Sequence, residues 1–191
     1  MTGVDSQLAG GLQSAAPTPE DFGLVTWNAD PSNAQGTALL NANNMYGQLC
    51  FTRTAKRWSQ LNASTTVAGA TLTAGGNGAV VADMNGNVLL TTADMTTQWA
   101  AGNGNQPMPF TAPAILPAGT YKVYFLARGV TTPTFRTGYP FSSFYIGDTA
   151  GTPRVFVNGT NNLALPAVGS VISPAGDVTN LQNAVICFTV S

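Results

Sequence analysis

Ala79-Val-Val-Ala-Asp-Met-Asn-Gly-Asn-Val-Leu-Leu-Thr-Thr92 decides the fold class. Two apolar-alternating runs, Ala79–Met84 and Asn87–Thr92, flank the dipeptide Asn85-Gly86. Asn and Gly accept the positive φ angles of a type I′ turn, so this is the strongest hairpin signal in the chain. A second such signal, Asn158-Gly159, separates Arg154–Val157 from Thr160–Leu165 and predicts another hairpin.

Further strand candidates lie on both sides of the first hairpin. Met45–Thr52 and Arg57–Val67 precede it. Tyr121–Arg128 follows and is the clearest single strand. Tyr121, Val123, Phe125 and Ala127 would share one face, and Lys122, Tyr124, Leu126 and Arg128 the other. The second set is mixed in polarity, which suggests partial cover by another element. Ala184–Val190 is a near-continuous apolar run and reads as a buried strand. Only Asp94–Trp99 suggests a helical turn, with Asp94 as its N-cap. Turn signals recur about every 8–12 residues, which favours a sandwich or barrel over a βαβ fold. The expected fold is therefore all-β: a single antiparallel β-sandwich, jelly-roll-like, with an extended N-terminal arm. Residues 1–36 form the arm and attachment segment, and residues 37–191 the sandwich domain.

Composition points the same way. The 191 residues carry 7 Lys+Arg and 8 Asp+Glu, so 8% of the chain is charged, against about 25% in a typical soluble domain. The polar remainder is largely uncharged: 25 Thr and 16 Asn stand beside 21 Gly and 12 Pro. Thr favours strands, while Asn, Gly and Pro favour turns. Hydrophobic residues make up 44% of the chain, enough for a packed core. Val81, Leu89, Tyr121, Val123, Phe125, Val185, Ile186 and Phe188 are the expected core.

The same counts exclude chemistry. There is no histidine, so neither a Ser-His-Asp nor a Cys-His catalytic arrangement is available. Most catalytic zinc sites and histidine pH switches are excluded with it. A net charge of −1 offers no basic face for nucleic acid. No apolar run approaches the length of a membrane span. The opening residues lack the cationic and apolar regions of a secretion signal. Cys50 and Cys187 lie in apolar runs and read as two buried thiols, with a disulfide between neighbouring strands as the alternative.

Candidate sites are few. Asp83-Met-Asn-Gly-Asn87 resembles a calcium loop, but its glycine is fourth where an EF-hand needs it sixth. Gly75-Gly-Asn-Gly78 lacks the lysine and the following helix of a phosphate loop. The acids mostly adjoin Pro, Gly or Asn, where caps and turns explain them, so a glycosidase pair is not supported. No catalytic residue, metal ligand or cofactor is expected.

Aromatic residues are the better clue. Phe135, Tyr139, Phe141, Phe144 and Tyr145 crowd together around Arg136. They read either as a loop whose exposed rings meet a ligand or a partner subunit, or as closure of one end of the sandwich. Phe22, Leu24 and Trp27 are candidate anchors for the arm.

Several elements in order carry a resemblance. They are Pro19-Glu-Asp-Phe-Gly-Leu-Val-Thr-Trp-Asn-Ala-Asp-Pro31, Leu72-Thr-Ala-Gly75, Val81–Leu90, Thr92-Ala-Asp-Met-Thr-Thr-Gln-Trp99, Leu116-Pro-Ala-Gly-Thr-Tyr121 and Ala127–Phe135. In that order they resemble a family of small β-sandwich proteins of phages that infect actinobacteria, described as minor tail or virion structural proteins. The resemblance spans roughly residues 19–145. It implies a non-enzymatic virion component assembled in the host cytoplasm, in contact with other virion proteins. It also implies a homo-oligomer, with a trimer favoured. A tail position implies adhesion, with host cell-surface glycan as a partner. A head position implies capsid decoration, with the arm gripping the shell. A carbohydrate-binding module is a third reading.

Overall fold

The computed structural model describes residues 18–27, 36–138, 155–159, 162–179, 186 and 188–191. The fold is an all-β sandwich of antiparallel sheets packed face to face, as the sequence predicts.

The first sheet is organised on β4 (Lys56–Val67). One edge of β4 pairs with β8 (Gly104–Leu116). Its other edge is shared end to end. There β14 (Phe188–Val190) takes Leu61–Ala63, and β11 (Thr134–Thr137) takes Thr65 and Val67. Beyond them lie β1 (Thr26–Trp27), paired with β14, and β2 (Gly36–Leu39), paired with β11. Thus β1 comes from the segment expected to be the arm, and its Thr26 and Trp27 are members of the sheet.

The second sheet contains β3 (Met45–Thr52), β6 (Gly78–Ala82), β7 (Val88–Thr91), β9 (Gly119–Leu126), β12 (Val155–Asn158) and β13 (Asp177–Thr179). Their order is β13-β12-β3-β9-β6-β7. A small ribbon joins β5 (Ala70–Leu72) to β10 (Gly129–Thr131).

The alternation read in Tyr121–Arg128 is what builds two cores. Tyr121, Val123, Phe125 and Ala127 face the first sheet and pack with Trp58, Leu61, Phe135 and Phe188. Phe125 lies 5.9 Å from Phe135 and 5.7 Å from Phe188, centroid to centroid. Full burial of each such side chain contributes about 1.5–3 kcal/mol. Of the expected core, Val81, Tyr121, Val123, Phe125, Ile186 and Phe188 are buried, and Leu89 is partly so. Val185 lies outside the described residues.

The opposite face of β9 forms a second apolar cluster. Tyr124 and Leu126 pack with Met45, Val80, Ala82, Val88, Phe156 and Ile172. The cover inferred from the mixed face is residues 162–177, which run as a strap over the outside of this sheet. Thr91 Oγ1 donates to Pro166 O at 2.8 Å, Val88 N–H to Ser170 O at 2.9 Å, and Ile172 N–H to Gly86 O at 2.9 Å. The strap therefore also pairs the outer edge of β7.

Several turns differ from the sequence reading. The β6–β7 hairpin forms, but not through a two-residue type I′ turn. Gly86 N–H donates to Asp83 O at 3.0 Å across the corner Met84-Asn85, and Gly86 alone has positive φ (87°). This is a three-residue loop with a glycine bulge. The Asp83 side chain selects it, because Oδ1 accepts the N–H groups of Asn85 and Asn87, each at 2.9 Å. The second Asn-Gly is not followed by a strand among the described residues 162–165. Asn158 ends β12, which pairs with β3 and β13, and Asn162 N–H donates to Asn43 O. The helix is Thr96–Ala101 with Met95 at its N-cap, while Asp94 Oδ1 accepts from Thr96 Oγ1 at 2.9 Å.

β8 is the longest strand that sequence reasoning did not find. It contains Pro107 and Pro109, and an edge strand tolerates proline where the missing N–H would point outward. Their carbonyls do point outward, to Gln98 Nε2 at 3.0 Å and Ala93 N at 2.9 Å. Gln106, Met108 and Phe110 alternate with them and are buried.

Candidate functional site

The residues singled out in the sequence separate into three places. Phe135 lies on β11 and is fully buried. Its ring meets Trp99 edge-on at 5.2 Å. It therefore closes the core, and the reading of it as an exposed ligand or interface ring does not hold. Arg136, its neighbour, faces outward on β11 opposite Thr37. Tyr139, Phe141, Phe144 and Tyr145 lie outside the described residues, as do residues 1–17 of the arm.

The described part of the arm is a small capped unit. A 3-10 turn spans Pro19–Phe22, and the Asp21 carboxylate accepts the Thr18 N–H at 2.7 Å. Gly23 ends the turn at φ 70°. Phe22 projects with 63% of its surface exposed, and its ring stands 5.8 Å from that of Trp27. Leu24 and Trp27 are half-buried. Thr26 Oγ1 donates to Phe51 O at 2.6 Å, which ties β1 across to the second sheet.

The most unusual chemistry lies beneath the strap, among residues sequence reasoning did not select. Lys122 on β9 places Nζ 2.6 Å from Asp177 Oδ2 on β13, and both side chains are only 7% exposed. Asp177 Oδ1 accepts from Asn158 Nδ2 at 2.6 Å. The Tyr124 hydroxyl donates to the same carboxylate, at 3.2 and 3.3 Å to its two oxygens. Burial, and then the Asp177 charge, push the Tyr124 hydroxyl far up, so it stays a donor. Asn158 Nδ2 also donates to Ser173 O at 2.8 Å. The Phe156 ring lies 5.4 Å from Lys122 Nζ and packs edge-on against Tyr124 at 5.3 Å. One carboxylate thus gathers an amine, an amide and a phenol in an apolar enclosure. One signal was present in the sequence: Lys122 stands on the mixed face of the Tyr121–Arg128 run, beside Tyr124 and Leu126.

The glycine-rich Gly75–Gly78 stretch has a structural role. Buried Asn77 donates to Thr73 O at 2.7 Å and Thr96 Oγ1 at 2.8 Å, and accepts from Arg128 N–H at 2.8 Å. Cys50 is a free, buried thiol whose burial pushes it up to about 12. Cys187 lies outside the described residues. Among the described residues, no helix is long and apolar enough to cross a membrane. Neither protein-family models nor curated proteins give a match to this chain.

Proposed function

We propose that this chain is a non-enzymatic structural protein of a phage virion, associated with the tail. The observation that carries the reading is the ordered series of motifs between residues 19 and 145. Those motifs do structural work in the fold. Val81–Leu90 is the glycine-bulged hairpin. Within Leu116–Tyr121, the Tyr121 hydroxyl donates back to Pro117 O at 2.6 Å and fixes the start of β9. A protein of this kind acts by shape and by uncharged polar contacts, in a homo-oligomer, with a trimer favoured. Its place of work is the virion, assembled in the host cytoplasm beside other virion proteins.

Capsid decoration is the second reading. It is favoured by the exposed Phe22 on a capped turn, a suitable anchor for a subunit of the shell. Labelling of intact particles with antibody against this chain, viewed by electron microscopy, separates the two. Label on the tail supports the first reading. Label on the head overturns it in favour of decoration, and unlabelled particles overturn both. In the tail reading, host cell-surface glycan is the partner to test, by binding of the full chain to cell-wall preparations.

A further inference from the structure

We propose that Lys122 and Asn158 condense into an intramolecular amide cross-link, with Asp177 as the proton relay between them. This does not rest on the virion reading.

The Asp177 carboxylate gathers both reacting groups. The Lys122 amine is the nucleophile, and it is held at 2.6 Å on one oxygen of Asp177. The amide nitrogen of Asn158, the leaving group, is held at 2.6 Å on the other oxygen. The contacts of Asn158 Nδ2 with Asp177 Oδ1 and Ser173 O fix which end of its amide faces the acid. Gly176 packs on the flat of that amide, where a Cβ would come within 3.2–3.4 Å of its three outer atoms. The reactants come from separate strands, β9, β12 and β13, so the sheet holds them in place without loop motion. Phe156 and Tyr124 pack around the pair and shield it from bulk water, and the reacting form is the one in which the ammonium proton has moved to Asp177.

The step balances on these residues alone. Lys122 Nζ attacks Asn158 Cγ, and a new C–N bond forms. Asp177 takes the proton from Nζ and passes one to Asn158 Nδ2. The Cγ–Nδ2 bond breaks and ammonia leaves. No oxidant or reductant is involved. The product joins β9 to β12 across β3.

The test is peptide mapping of the full chain by mass spectrometry after denaturation. Trypsin does not cut after an acylated lysine. A cross-linked chain therefore yields one branched species, Trp58–Arg128 joined to Val155–Ser191, lighter than the sum of its parts by the ammonia lost (about 17 Da) beyond ordinary hydrolysis. That species in most molecules is the expected result. Separate Trp58–Lys122 and Val155–Ser191 peptides overturn the proposal. So does ammonia loss confined to the Val155–Ser191 peptide, which marks a succinimide at Asn158-Gly159. A branched species lighter by water (about 18 Da) also overturns it, because Asp177 would then be the acylating group. Asp177→Asn is expected to abolish the branched species with the fold retained by circular dichroism, and a branched species in that variant overturns the relay. Lys122→Arg, which keeps a cation opposite Asp177, is the second unlinked control. The wild-type map is decisive even if a variant does not fold.

Discussion

Gly86 and Ile172 meet backbone to backbone. The Ile172 N–H donates to Gly86 O at 2.9 Å, and a Cβ on Gly86 would stand 1.9 Å from the Ile172 carbonyl oxygen. The hairpin that decides the fold class is therefore also the dock for the strap. Gly86→Ala faces both this clash and a φ of 87° that L-residues disfavour, the latter alone costing about 1–2 kcal/mol. The expected outcome is loss of the strap before loss of the sandwich. Hydrogen exchange should rise at residues 165–172 while β4 and β9 stay protected.

Removing Asp177 leaves the Lys122 ammonium buried beside the Phe156 ring. Breaking a buried pair from one side costs about 3–5 kcal/mol. Neither Asp177→Ala nor the double variant Lys122→Met with Asp177→Leu can form the cross-link, so the two differ in the buried charge alone. The double variant should be the more stable to denaturant by that order, because no uncompensated charge is left. Urea unfolding of the two proteins checks this.

Phe135 and Arg136 are adjacent in sequence but opposite in environment. Phe135→Ala opens a cavity between Trp99 and Phe125 and should cost about 3–5 kcal/mol. Arg136→Ala on the outer face should stay within about 0.5 kcal/mol. Phe22→Ala should likewise leave stability nearly unchanged while reducing association with particles. Thermal melts and co-sedimentation with particles lacking the protein distinguish core from contact surface.

The pH profile should be flat from about pH 5 to 9 and fall on the alkaline side. Cys50 is raised from an ordinary 9.0 to about 12. Its folded form binds the proton more tightly, so its contribution is complete below the ordinary value and is lost as pH rises through 12. Tyr124 and Tyr121 are raised by burial first and act in the same direction. Cys50→Ala should reduce the alkaline slope. On the acid side, burial raises Asp83, but hydrogen bonds from the side chain and backbone of Asn87 and from the Asn85 and Gly86 backbones outweigh it and hold the carboxyl low. The stabilisation from Asp83 is present above its ordinary value and is lost as pH falls below it. Denaturant midpoints across the range check both limbs.

Strand identity was legible where apolar spacing is local. Met45–Thr52 is β3 residue for residue, and the face pattern of Tyr121–Ala127 matches the inner core. β8 was not legible, because proline's meaning depends on which side of the strand carries the neighbour, and only the finished sheet supplies that. The turn at Asn85-Gly86 was misread because Asp83, two residues upstream, competes for the backbone N–H groups. Nor could spacing reveal the buried cluster. Lys122 and Asp177 are 55 residues apart, and each reads as surface-polar alone. What joins them is the strap, whose inward-packed residues, Leu165 and Ile172, carry no period.

The short pairing of β1 with β14 has a mechanical consequence. Thr26 lies opposite Val190 and Trp27 opposite Thr189, and Val25 N–H donates to Val190 O at 2.8 Å. Tension between the segment before Val25 and Ser191 enters at the same end of this antiparallel pair. The bonds are then loaded one after another, as in a zip, and not together, as in shear. A subunit tethered through its arm would yield first by peeling β1 away, with β4, β8 and β9 still folded behind it.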